Sequence, residues 1–346
     1  MSDISRNDLA RSIMRGRTSQ HVLDRAKALE EVAAVYVMSD NDRKMTMELE
    51  LIVADMLNQH SFEGYAVAVT GPSGSGKSTL VNTSLDEMDE FQPVDDGYGN
   101  EVQFCLRVST PSSCSTKDLG IAILRASGYP LAKPPNEGEI WNVVKNRLRA
   151  KMHKVLFLDE FQHALKKPGA KGAEHLANQI KLLMQDKEWP LWLIIAGMPD
   201  VMEFVNRDEW QQMDRRTREV PLDALTGSPE TIENTKNMIG QLTDAAGLRL
   251  SAHTTDEFIL RLQHGALWRF GLSIQLTKMS IEVALWDDGN EGTMKHEHFV
   301  EGYKRLSRCT RESNVFLSPD WRRITREVSR NGSLTRTFKM AETPRL

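Results

Sequence analysis

The run YAVAVTGPSGSGKST, Tyr65 to Thr79, decides the fold. Its first six residues are a short apolar stretch with the length and composition of a buried parallel strand. Gly71 to Ser78 then satisfies GxxxxGK[ST], and a helical pattern opens at Lys77. Strand, glycine-rich loop and helix in that order make a phosphate-binding loop. Glycines let backbone N–H groups wrap closely around phosphate oxygens, and the positive end of the helix adds to their field. The spacing assigns Gly71, Pro72, Ser73, Gly74, Ser75, Gly76, Lys77, Ser78 and Thr79 to nucleotide binding. Lys77 is expected to reach the β- and γ-phosphates of ATP, and Ser78 to place its hydroxyl on Mg2+. The competing reading is a glycine-rich turn without a ligand.

Working outward, apolar runs recur at Val102–Val108, Val155–Leu158 and Leu191–Ala196, with a last, edge strand at Arg218–Leu222. Helical patterns lie between them at Lys77–Asp86, Thr116–Ser127, Glu137–Met152 and Glu174–Gln185. Strands alternating with helices of this length require crossover connections, hence an α/β fold with a five-stranded parallel sheet flanked by helices. From about residue 228 to 310 the pattern is helical throughout, with no strand signal. The expected organisation is an N-terminal extension over 1–45, an α/β domain over 46–225, a small all-helical lid domain over 226–310 and a basic C-terminal tail over 311–346.

The 346 residues are 40% hydrophobic and 27% charged, which excludes collagen-like, disordered and disulfide-scaffold classes. A net charge of −4 argues against nonspecific coating of nucleic acid by the whole chain, although the last 36 residues carry a local +4. That tail reads equally as a solvated segment and as a docking or nucleic-acid-binding arm. Cys105, Cys114 and Cys309 form no CxxC pair and read as buried thiols. No apolar run approaches the length of a membrane span, and the N-terminus lacks a signal-peptide core, so no membrane partner and a cytoplasmic location are expected.

Chemistry concentrates at the end of the third main strand, where Val155–Leu158 runs into Asp159 and Glu160. An acidic residue at the tip of a buried strand needs a cation or a hydrogen-bond partner. Asp159 is therefore expected to hold Mg2+ together with Ser78, and Glu160 to act as the base that polarises an attacking water. The alternative is a pair capping the next helix. Before the edge strand stand Arg215 and Arg216, and a guanidinium there suits the charge developing on a γ-phosphate, supplied from a neighbouring subunit. Arg216 is the first choice and Arg215 the second. Arg269, at a helix start in the second domain, is a third candidate to fold onto the nucleotide, and a surface salt bridge is the rival role for each arginine. His296 and His298 read as surface residues, His163 as either near the nucleotide or structural, and Trp268 and Trp286 as core.

The phosphate loop, the LDE strand end, the arginine before the edge strand and the helical segment with Gly265-x-x-x-Arg269 together resemble an AAA+ ATPase. More narrowly, LDEFQHAL (Leu158–Leu165), IAGMP (Ile195–Pro199) and MDRR (Met213–Arg216) are similar to the TniB/TnsC family of transposition regulators. That resemblance covers about residues 45–310. It implies an ATP-dependent ring or helical filament of this chain on duplex DNA, linking a TniQ-like target-selection protein to a transposase. It also implies backbone contacts to DNA from Thr116 and Lys117, and from Lys145, Arg147, Arg149 and Lys151 on the helix before the acidic strand. Lys145 pairs with Arg149, and Arg147 with Lys151, at i,i+4, so one pair at most meets DNA; a solvated helix face is the rival reading. Two features depart from the pattern. Ala196-Gly197-Met198 stands where a polar sensor residue is usual, and Thr217 where an aromatic is common. The rival functions are an AAA+ ATPase acting through protein partners only, as in signalling or secretion, and a P-loop kinase for a small metabolite.

Overall fold

The computed structural model describes residues 5–59, 63–112, 114–131, 135–136, 138–165, 169–205, 215–251, 254–328 and 334–340. The chain divides into two compact units, 38–223 and 1–37 with 224–346.

In the first unit, helix α3 (Asp40–Leu57) follows α1 (Arg6–Arg15) and α2 (Gln20–Ala34), which belong to the other unit. Strand β1 (Ala66–Thr70) leads through the glycine loop into α4 (Lys77–Glu87). A two-residue hairpin, β2 (Val94–Asp95) with β3 (Glu101–Val102), precedes β4 (Cys105–Ser109). Then come α5 (Thr116–Ala126), α6 (Ile140–Ala150), β5 (Val155–Asp159), α7 (Gln162–Leu165), α8 (Gly169–Met184), β6 (Trp192–Gly197), α9 (Asp200–Val205) and β7 (Thr217–Pro221). The expected five-stranded parallel sheet is present, in the order β4-β5-β6-β1-β7. The expected run Val102–Val108 is split, because Gln103 and Phe104 leave the hairpin before β4 starts.

Side-chain alternation explains why these strands read as unbroken apolar runs. Leu156, Leu158, Leu193 and Ile195 point to one face, under α5, α6, α8 and α9. Val155, Phe157, Trp192 and Ile194 point to the other, against Met45, Leu49 and Ile52 of α3 and Leu80, Val81 and Leu85 of α4. With both faces covered, the interiors of the central strands β1, β5 and β6 are apolar throughout, whereas the edge strands keep Arg107 in β4 and Arg218 and Glu219 in β7. From β1 the chain crosses to the far edge at β4 and returns strand by strand to β6, beside β1, before β7 closes the other side. The carboxyl end of β1 thus lies where connections diverge, the crevice in which open α/β sheets bind ligands.

The second unit is built on α10 (Pro229–Ala245), α11 (Asp256–Gly265), α12 (Phe270–Asp287) and α13 (His296–Ser307), with Ala28 and Val32 of α2 in the same core. A Cβ on Gly302 of α13 would fall 2.3 Å from Ser280 Oγ, so these two helices touch backbone to backbone. Several sequence expectations fail here. A short parallel bridge joins β8 (Arg249–Leu250) to β9 (Thr293–Met294), within the segment expected to be purely helical. The basic tail contains an antiparallel hairpin, β10 (Ile324–Val328) with β11 (Leu334–Met340), seated by buried Trp321 and Ile324. His298 is buried, its Nδ1 accepting from the Lys295 N–H at 3.1 Å at the start of α13. Trp286 is 48% exposed rather than core, with the Arg25 guanidinium 5.1 Å from its ring centroid. No described helix is long and apolar enough to cross a membrane.

Candidate nucleotide site

The glycine loop occupies the switch point at the end of β1. Gly74 (φ 78°) and Gly76 (φ 107°) both need the left-handed region that side chains disfavour, and Gly76 serves as the N-cap of α4. Gly71 is held by a backbone bond to the Gly197 carbonyl at the end of β6, 3.2 Å. Lys77 is 6% exposed, and its ammonium donates to the carbonyls of Gly71 (2.9 Å) and Pro72 (3.1 Å), curling back over the loop. Ser75, also 6% exposed, has a hydroxyl with no hydrogen-bond partner. A buried cation resting on carbonyls, an orphan hydroxyl and the start of a helix without a side-chain cap gather donors on one loop. That is the chemistry that phosphate oxygens satisfy, and the residues fit a nucleotide.

Sequence positions 81 apart meet beside the loop: the Ser78 hydroxyl donates to Asp159 Oδ1 at 2.9 Å. The same oxygen accepts the Glu160 N–H at 2.9 Å, and the Asp159 carbonyl accepts from Thr110 N–H at the end of β4. A hydroxyl and a carboxylate so placed offer the hard oxygen ligands that Mg2+ takes. Glu160 sits in the left-handed region, φ 54°, a conformation that costs roughly 1–3 kcal/mol in a residue other than glycine. His163 Nε2 lies 3.8 Å from its carboxylate. Sequence reasoning did not assign a role to Gln162, which is 4% exposed and bridges Glu160 Oε2 to the Met198 N–H. Its signal was only its place in LDEFQHAL.

Arg216 lies away from this cluster, at the opposite end of the sheet. Its carbonyl accepts from the Ala66 N–H at the start of β1, and its guanidinium pairs with Glu63 beside the Gln185 amide. Arg215 is exposed. In the second unit, Arg269 is the N-cap of α12, directly after Leu267 and Trp268, both at positive φ (54° and 58°). Burial pushes its guanidinium below the ordinary arginine value. A cation at a helix N-terminus opposes the helix field, so the helix itself does not stabilise Arg269 there.

The six candidate DNA contacts are placed unequally. Thr116 is 6% exposed in the α5 start. On α6, Lys145 is ion-paired with Asp186 and Arg149 with Glu188. Arg147 donates to the Ser127 carbonyl at 2.6 Å and stacks 5.9 Å over Tyr129. Lys151 is exposed and Lys117 half-buried. Among the described residues, no group of three or more His, Cys, Asp and Glu side chains forms a metal cluster, and His296 and His298 are in none.

Residues 59–205 match the family model described as an AAA domain. The structure is similar to Cdc6p from Pyrobaculum aerophilum, with a TM-score of 0.58 at 12% identity over 80% of this chain and 70% of that one. It is also similar to the ORC2 protein of Aeropyrum pernix in its ADPNP–ADP complexes, with a TM-score of 0.53 at 14% identity over 82% and 75% of the two chains. No curated protein matches the chain. The fold is that of an AAA+ P-loop NTPase.

Proposed function

We propose that this AAA+ protein hydrolyses ATP, assembles with copies of itself on duplex DNA in the ATP state, and regulates DNA transposition by linking a target-selection protein to a transposase. The observation that carries the ATPase reading is the convergence of Lys77, Ser78, Asp159 and Glu160 at the end of β1 and β5. On this reading Lys77 exchanges its two loop carbonyls for phosphate oxygens. Ser78 and Asp159 hold Mg2+, which screens the negative charge of the phosphates. Glu160 accepts a proton from water as the water oxygen bonds to the γ-phosphorus and the bond to the β-phosphate oxygen breaks, leaving ADP and phosphate. Arg216 comes from the neighbouring subunit, and Arg269 is a candidate to meet the nucleotide's negative charge.

The DNA and transposition parts rest on the likeness of the LDEFQHAL, IAGMP and MDRR segments to the TniB/TnsC family. Because Lys145, Arg147 and Arg149 have partners within the fold, DNA contact falls to Lys117 and Lys151, both to phosphates and independent of sequence. Those same internal pairs are what favours the second reading, an AAA+ ATPase that acts through protein partners alone. Electron microscopy with a slowly hydrolysed ATP analogue separates the two. The first reading expects ordered rings or filaments that require duplex DNA; assemblies identical with and without DNA favour the second and refute the first.

A further inference from the structure

We propose that Gln162 is the positioning residue for Glu160, taking over at the end of β6 a task for which that strand has no polar side chain. The proposal rests on Glu160 being the base. The last residues of β6 and the next position, Ala196, Gly197 and Met198, offer the site only backbone groups. Gln162 uses one of them: its Oε1 accepts from the Met198 N–H at 3.3 Å, while its Nε2 donates to Glu160 Oε2. A carboxylate only accepts and a backbone N–H only donates, so the two partners fix which end of the amide faces which.

The missing side chain and the amide are complementary in shape. A Cβ on Gly197 would lie 2.4 Å from Val201 Cγ2 and 3.0 Å from Gln162 Oε1, so a side chain there would clash with Val201 and press on the amide. Gln162 donates directly to the Glu160 carboxylate, whereas the histidine stands off at 3.8 Å. The backbone of Glu160 is already strained at φ 54°, which turns the residue out of the strand line, and the amide then fixes the carboxylate. The same strand end anchors the phosphate loop, since the Gly197 carbonyl accepts from Gly71 N–H. One short stretch of β6 therefore sets the register between the loop and the base, with Gln162 as the connection. A misplacement of about 1 Å in such a group costs roughly a hundredfold in rate.

The test uses the full chain and two substitutions of matching length. Gln162→Met keeps the volume and loses both hydrogen bonds; Gln162→Glu keeps an acceptor for Met198 but cannot donate to Glu160. Both are expected to lower kcat by about 10- to 100-fold. KM for ATP and the affinity for a slowly hydrolysed analogue should stay within about twofold, because the amide acts through Glu160 and not on the phosphates. Introduced into a Glu160→Gln background, Gln162→Met should add no further loss, the non-additivity expected of residues acting as a unit. A wild-type kcat in Gln162→Met, a parallel loss of nucleotide affinity, or an independent further loss in the double variant each overturns the proposal. A wild-type rate in Glu160→Gln alone refutes the base assignment instead, so the two failures are distinguishable.

Discussion

Arg216 can serve only a nucleotide bound to another subunit, and the sheet register shows why. Ala66 pairs with Thr217 and Thr70 with Pro221, so Arg216 stands level with the start of β1 while the phosphate loop follows its end. From Ala66 to Gly71 is five residues, about 17 Å at a strand rise of about 3.3 Å per residue. An arginine side chain has six bonds of about 1.5 Å and reaches roughly 7 Å from its Cα. The gap cannot be closed within one subunit. The perturbation is therefore a mixture: Arg216→Ala subunits, which keep their own base, with Glu160→Gln subunits, which keep their own arginine. Each alone should lose most of its steady-state hydrolysis, by about 10³-fold or more for a transition-state arginine. Mixed in equal amounts at random, an intact base should face an intact arginine at about a quarter of interfaces, restoring about a quarter of the wild-type rate. Breaking the pair that holds Arg216 in the isolated subunit has a small effect by comparison. The Glu63 carboxylate is half exposed, and such pairs contribute about 0–1 kcal/mol. Glu63→Gln should thus change the rate by less than about fivefold. Phosphate release is the assay. A mixture as inactive as its components, or a Glu63→Gln variant as inactive as Arg216→Ala, would refute the reasoning and make Arg216 a structural partner of Glu63.

Lys77→Ala should abolish stabilisation by ATP in thermal melts, a shift worth about 2.7 kcal/mol at a hundredfold excess over Kd in the wild type; a retained shift refutes its phosphate role. Gly64→Ala places a Cβ 1.9 Å from the Leu191 carbonyl oxygen, a backbone clash expected to cost about 3 kcal/mol or more. A denaturant midpoint equal to wild type would contradict that packing. Burial pushes the pKa values of His153 and His264 below the ordinary 6.5, while each ring bonds a carbonyl, Gln103 and Ile324 respectively. On acidification the unfolded chain takes up protons first, so stability is complete above about pH 6.5 and falls below it. Melting temperatures from about pH 7.5 to 5.5 should decline on the acid side, and less steeply after His→Gln at both positions; a flat profile removes the effect.

The sheet and the phosphate loop were legible because both obey rules local in sequence. Strands covered on both faces read as unbroken apolar runs, and a loop that wraps phosphates needs its glycines and lysine at fixed spacing. Asp159 was legible as a costly acid at a strand tip, although its meeting with Ser78, 81 residues away, is a tertiary fact. The C-terminal hairpin was hidden by its composition. Arg326 and Lys339 mark it as solvated tail, whereas Trp321 and Ile324, which seat it, are single residues without a pattern. Gln162 was invisible for a related reason: an amide acquires its role from the two groups it touches, and one of them is a backbone N–H 36 residues on. The basic character of α6 was legible but its pairing was not, since Asp186 and Glu188, which pair with Lys145 and Arg149, come from a distant loop.

The central claim is that the nucleotide state governs DNA binding, and the affinity of the full chain for one labelled duplex, by fluorescence anisotropy at fixed salt, tests it most directly. A ligand shifts an assembly only through its differential affinity for the two states. The account predicts binding at least about tenfold tighter with a slowly hydrolysed ATP analogue than with ADP, and a steep weakening as salt rises. Equal affinity in the two nucleotide states would contradict it.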